Sequence, residues 1–119
     1  MRKIYFIALF VLVGCGMTPS QIKSNPTKIF ESNKSQSELI SCLVPRLDER
    51  TFNGTRIDTI IKPIPGGMSL SPIQGNIEFI DITTNNNKSN IIYYGEGTKR
   101  LFMEYTRINE VNEDIKSCL

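Results

Sequence analysis

The side chains able to do chemistry are few, and their spacing excludes more than it offers. Among 119 residues there is no histidine, which removes Ser-His-Asp and Cys-His nucleophile systems and the imidazole ligands of most zinc sites. The three cysteines, Cys15, Cys42 and Cys118, contain no Cys-x-x-Cys pair, so the usual redox and zinc spacings are missing. Gly66-Gly67 lacks the Lys-Ser sequel and the helix pattern of a phosphate loop. Gly95-Glu96-Gly97 looks like half a dinucleotide fingerprint, but it joins two strand-like stretches and reads as a turn. Asp48-Glu49 and Glu110, Glu113 and Asp114 cluster at helix ends. Solvation there explains them, a calcium or glycosidase role being the other reading. Asp81 stands out because it interrupts an apolar strand, either as a solvent-facing position or as a cleft acid. No catalytic residue, metal or cofactor is assigned, and the chain is read as a non-enzyme.

Recognition chemistry is better represented. Tyr93, Tyr94, Phe102 and Tyr105 straddle the Gly95–Thr98 turn. Cross-strand packing accounts for most of them, while Tyr94 and Phe102 are candidates to surface together as a contact patch, since aromatic side chains commonly anchor interfaces. The stretch Lys62–Gly75, KPIPGGMSLSPIQG, combines turn-forming residues with the apolar Ile64, Met68 and Ile73. It reads as an irregular loop with one short strand near Met68–Ser71, because its prolines and glycines oppose a continuous ladder. Ile64, Met68 and Ile73 are the second candidate surface; tucking under the sheet is their alternative.

The address of the protein lies at its start. Arg2 and Lys3 precede an apolar run from Ile4 to Val13. At ~1.5 Å per residue a helix of that length covers ~15 Å, half of a ~30 Å hydrocarbon core. A charged start, a short apolar run and small residues at its end fit an export signal that is removed. The run closes on Leu12-Val13-Gly14-Cys15, which resembles the lipobox of bacterial lipoproteins. The resemblance covers the first fifteen residues only. It implies cleavage before Cys15, a diacylglycerol on its thiol, and acylation of the new amino terminus. One acyl chain binds membranes marginally, so stable anchoring takes two or more. An ordinary secretory signal with a chance cysteine is the competing reading. Gly16, where an inner-membrane retention signal has Asp, implies the outer membrane in a Gram-negative cell.

If Cys15 is lipidated, Cys42 and Cys118 remain as an even pair in an exported chain, where disulfides persist; two free thiols are the alternative. Closing so long a loop removes ~4–5 kcal/mol of unfolded-chain entropy in the idealised case and ~2–4 kcal/mol more typically. Without Arg2 and Lys3 the formal charge of +2 falls to about zero, and no basic run is present. Nucleic acid is therefore not expected as a partner.

The positioning elements follow. Residues 15–35 are polar and aperiodic and read as a flexible tether reaching ~25 Å, with Ile29 and Phe30 as possible docking points. Ser35-Gln36-Ser37-Glu38 is a capping box, and Leu39, Ile40, Leu43, Val44 and Leu47 form one helical stripe, with Pro45 expected to kink or end it. Strands are expected at Thr55–Lys62, Asn76–Thr84, Ile91–Tyr94 and Arg100–Arg107, with Thr84–Asn90 as an exposed loop. A closing helix begins near Asn109, its Val111, Ile115, Cys118 and Leu119 sharing a face. The expected fold is α+β, with an antiparallel sheet of about four strands, an N-terminal and a C-terminal helix, and a disulfide staple, in one domain over residues 36–119. The expected function is a membrane-anchored, non-catalytic binding module with an envelope protein as partner. The alternative is a small inhibitor or immunity-type lipoprotein acting on an envelope enzyme, phage or toxin.

Overall fold

The structure, a computed structural model, describes residues 18–52, 54–73, 77–101 and 104–119. The fold is α+β. A five-stranded antiparallel sheet has the order β1-β7-β6-β5-β4, from β1 (Lys28–Ser32), β4 (Thr59–Ile64), β5 (Gly67–Pro72), β6 (Phe79–Asn85) and β7 (Lys88–Tyr94). A two-stranded ribbon of β2 (Thr51–Phe52) and β3 (Thr55–Arg56) stands apart from it. The helices are α1 (Pro19–Lys23), α2 (Gln36–Glu49) and α3 (Glu104–Cys118), with a 3-10 turn at Glu96–Leu101 before α3.

Register sorts the sheet into two faces. Phe30, Ile91, Ile82 and Met68 form one cross-strand row, and Tyr93, Ile80 and Leu70 the next. This face packs on Leu39, Leu43 and Leu47 of α2 and on Ile108, Val111, Ile115 and Cys118 of α3 to make the main core. Spacings of three and four residues put each helical set on one stripe. The other face carries Ile29, Ile92, Asp81 and Ser69 in one row. There Ile22 of α1 packs with Phe79 and Tyr94, and Ile92 lies against them.

The capping box at Ser35 forms as the sequence implies. Ser35 Oγ accepts from the Glu38 amide at 3.1 Å, and Glu38 accepts from the Ser35 amide at 3.0 Å. Pro45 does not end α2. Both Pro45 and Ser41, whose carbonyl loses its helical donor, lie on the exposed side, where water replaces the missing bond. A disulfide joins Cys42 of α2 to Cys118 of α3, with a Cα–Cα separation of 5.8 Å.

Several expectations are corrected. The stretch read as a tether is folded from Pro19 onward, as α1 and the edge strand β1, with Ile22 and Phe30 buried. The domain therefore begins well before residue 36, and the sheet gains a strand. Within the stretch read as an irregular loop, residues 62–72 are not a loop but most of the β4–β5 hairpin, whose ladder runs from Thr59↔Pro72 to Ile64↔Gly67. The Ile73 amide bonds the Asp58 carbonyl at 2.9 Å. By alternation, Pro63 and Pro72 then fall in non-hydrogen-bonded pairs, where no amide is needed toward the partner strand. Pro63 turns its nitrogen outward on an edge strand. Pro72 lies beyond Leu70↔Ile80, the last pairing with β6 on that side. The turn is Pro65-Gly66, with Gly66 at φ 80°, the type II pattern.

The polar tract Thr84–Asn90 is likewise mostly strand. Asn86 and Asn87, at φ 54° and 66°, form a two-residue turn of the type I′ kind, which matches strand twist. No hairpin follows Gly95: residues 104–107 open α3, which starts five residues before Asn109. Helical spacing from Ile108 to Val111 and Ile115 prevails over the short alternation that precedes it. Leu119 lies past the helix end and is exposed.

Candidate functional site

Two polar clusters flank the sheet. On the face away from α2 and α3, Asp81 sits centrally at 8 % exposure. Lys23 of α1 reaches it with Nζ at 3.1 and 3.0 Å from its two carboxylate oxygens, and Ser69 Oγ donates to the same carboxylate. The Lys23 ammonium also lies 4.8 Å from the centre of the Phe79 ring and 6.0 Å from that of Tyr94, within cation–π range. Burial, with the Asp81 charge adding to it, raises the Tyr94 hydroxyl above its ordinary pKa. A serine beside a carboxylate has the outline of a nucleophile and base. Here the ammonium neutralises the carboxylate, and the arrangement clamps α1 to the sheet.

The second cluster is inside the domain. Arg107 Nε and Nη2 donate to Glu78 at 3.0 and 2.7 Å in a bidentate pair, and Tyr93 Oη donates to Glu78 at 2.9 Å. Burial first, then the Glu78 charge, pushes the Tyr93 hydroxyl far above the ordinary phenol range. For Arg107, burial is the largest influence and opposes the charged form. The hydrogen bonds to Glu78, together with the charge of Glu78 and smaller contributions from Tyr93 and Glu110, outweigh it, and the net direction is upward. A narrow pocket lined by Leu47, Ile57, Pro72, Glu78 and Arg107 leaves room for one water at most. This is a structural ion pair, with no space for a substrate.

The sequence-derived surface residues do not converge. Tyr94 is only 8 % exposed and lies under α1, with Ile22 and Phe79; this corrects the expectation that it surfaces. Ile64 and Met68 are half-buried, and register puts them on opposite faces, Met68 beside Ile82 of the core row. Ile73 is 56 % exposed at the end of β5. Phe102 and Cys15 lie outside the described residues. Asp48 accepts from the Thr59 amide at 2.8 Å, and Asp114 pairs with Arg50 through two bonds of 3.0 and 2.8 Å. Those acids hold α2 to β4 and to α3. Among the described residues no group of three His, Cys, Asp or Glu side chains is placed to hold a metal ion, and no helix is long and apolar enough to cross a membrane.

Of the two docking points that the sequence offered, Phe30 is buried and Ile29 is 61 % exposed; the α1 clamp was missed. A signal for α1 existed: Thr18-Pro19-Ser20-Gln21 is a capping box with proline at the first helical position. The Thr18 hydroxyl accepts from the Gln21 amide at 3.2 Å, and Gln21 accepts from the Thr18 amide at 2.8 Å. No family model matches the chain, nor does any curated protein or solved structure.

Proposed function

We propose that this chain is a lipid-anchored envelope protein whose folded domain is a non-catalytic binding module. The observation that carries the reading is Leu12-Val13-Gly14-Cys15 at the end of a short apolar run. Cleavage there leaves Cys15 first, holding diacylglycerol through a thioether, and a second acylation makes the attachment stable. Gly16 favours the outer membrane of a Gram-negative cell. The Cys42–Cys118 bond supports an oxidising compartment. The ionic clusters of the described domain are spent on tying elements together, while Ile29 and Ile73 present apolar surface.

Cys15→Ser tests the anchor. It is expected to leave an uncut precursor that takes up no radiolabelled palmitate, and labelling equal to the parent overturns the reading. An inhibitor of an envelope enzyme is the second reading, favoured by one feature. The β4–β5 hairpin forms an open edge of the sheet and ends in the fixed Pro65-Gly66 turn, a shape suited to insertion into a cleft. Crosslinks from Pro65→Cys to a single enzyme in native envelopes, with loss of its inhibition in the variant, distinguish that role.

A further inference from the structure

We infer that the sheet face bearing α1 lies directly on the bilayer, with Ile29 and Ile73 turned toward the headgroups. The inference rests on lipid attachment at Cys15. Three residue steps separate Cys15 from Thr18, the cap of α1. At ~3.3–3.6 Å per fully extended residue they reach at most ~11 Å, against the ~25 Å of a twenty-residue flexible tether. The lipid therefore holds α1 at the membrane surface, and α1 is clamped to the sheet by Ile22 and by the Lys23–Asp81 pair.

That face carries the two most exposed large hydrophobic side chains among the described residues. The opposite face packs on α2 and α3, with Ile61 of the edge strand β4 left 46 % exposed. Among the described residues α1 is the helix packed on the near face, and after cleavage only Cys15, Gly16 and Met17 precede it, too little chain to cover the remainder. Ile29 is 61 % exposed and neighbours Ile92, which lies against the α1 cluster. Ile73 is 56 % exposed. It continues the alternation of Ser69 and Ser71 onto the same face, its amide still bonded to Asp58. Both isoleucines lie toward the end of the sheet where Phe79 and Tyr94 hold α1. By register Lys62 and Lys88 are exposed on this face together with Glu31 and Asp58, so the positive and negative charges balance, and Lys23 is matched by Asp81. The contact is thus apolar and lipid-directed, without a requirement for anionic headgroups.

The test uses the mature lipidated protein in phosphatidylethanolamine vesicles, with and without phosphatidylglycerol. A nitroxide is attached at Ile29→Cys, or at Lys116→Cys on the exposed side of α3. At position 29, relaxation by oxygen, which partitions into lipid, should exceed relaxation by a water-soluble nickel chelate several-fold. At position 116 the order should reverse, in both vesicle types. Equal access of the chelate to both positions overturns the inference, as does contact that appears only with phosphatidylglycerol. Ile73→Cys carries the same readout should the Ile29 variant melt early. The intact mass of the same sample reports the lipid on Cys15. Its absence overturns the anchored reading itself, so the two failures are told apart.

Discussion

Glu78 and Arg107 are 2 % and 3 % exposed, so each charge depends on the other being present. Removing one partner of such a pair costs ~3–5 kcal/mol, whereas replacing both with apolar side chains of similar volume is often neutral. Glu78→Met is therefore expected to lower unfolding stability in urea by roughly that amount, and Glu78→Met with Arg107→Leu to recover most of it. Two additive losses would show that the residues act separately. Neither residue was legible beforehand: a Glu near the start of the expected Asn76–Thr84 strand and an Arg at the end of the expected Arg100–Arg107 strand carry no local mark of burial. Glu38 was legible, through its spacing from Ser35. The Ser35 backbone and side-chain hydrogen bonds hold its carboxyl below the ordinary carboxylate value. A lowered folded pKa means that its contribution is present above the unfolded value and is lost as pH falls through the folded one. Carbon NMR titration should show Glu38 titrating below the ordinary glutamate value, and Ser35→Ala should move it upward. An unmoved Glu38 titration would separate the cap from the carboxylate.

At the scale of elements, α2 and α3 are held together at two points. The disulfide ties Cys42 to Cys118 near the end of α3, and Arg50, just past α2, bonds Asp114. A crosslink spanning 76 residues acts chiefly on the unfolded chain. Cys42→Ala with Cys118→Ala is thus expected to cost ~2–4 kcal/mol in denaturant while the folded state keeps its circular dichroism. Unreduced native protein should offer Cys42 and Cys118 to no alkylating agent; modification of either would break the pairing. The helices were readable because their signals are local: a capping box for α2 and the Val111, Ile115, Cys118 stripe for α3. The hairpins were not, for a different reason in each case. Pro63 and Pro72 argue against a ladder unless the hydrogen-bonding parity is known, and parity is set by a partner strand. Asn86-Asn87 hides a two-residue turn inside a tract of polar residues that looks uniformly loop-like. Around the start of α3, the sequence alternation of Leu101, Met103 and Tyr105 imitated a strand where the longer helical period decides.

The whole molecule starts earlier than its composition suggests. Residues 18–34 are polar enough to pass for a tether, yet Ile22 and Phe30 among them are 1 % and 7 % exposed. Apart from the Thr18 capping box, two apolar residues without a period give no helix or strand signal; they become informative only when a sheet face and a free β7 edge exist to receive them. Deleting the residues before Thr18 should leave the melting temperature near that of the full mature domain. Deleting the residues before Lys34, which keeps the Ser35 cap, should not. It removes Phe30 from the main core, a loss of the order of ~3–5 kcal/mol. It also strips Lys23 from the buried Asp81 and takes away the Ser32 hydroxyl that donates to the Leu119 carbonyl at 3.2 Å. Against a total stability of ~5–15 kcal/mol for a domain of this kind, the sum leaves little or none. The bared edge of β7, with Ile91 and Tyr93 freed of their neighbours on β1, then becomes a template for pairing with other chains. The shorter variant is expected to aggregate or to lack a cooperative melt. A sharp transition at the parent temperature would place the domain boundary back at residue 36 and return α1 and β1 to the status of a tether.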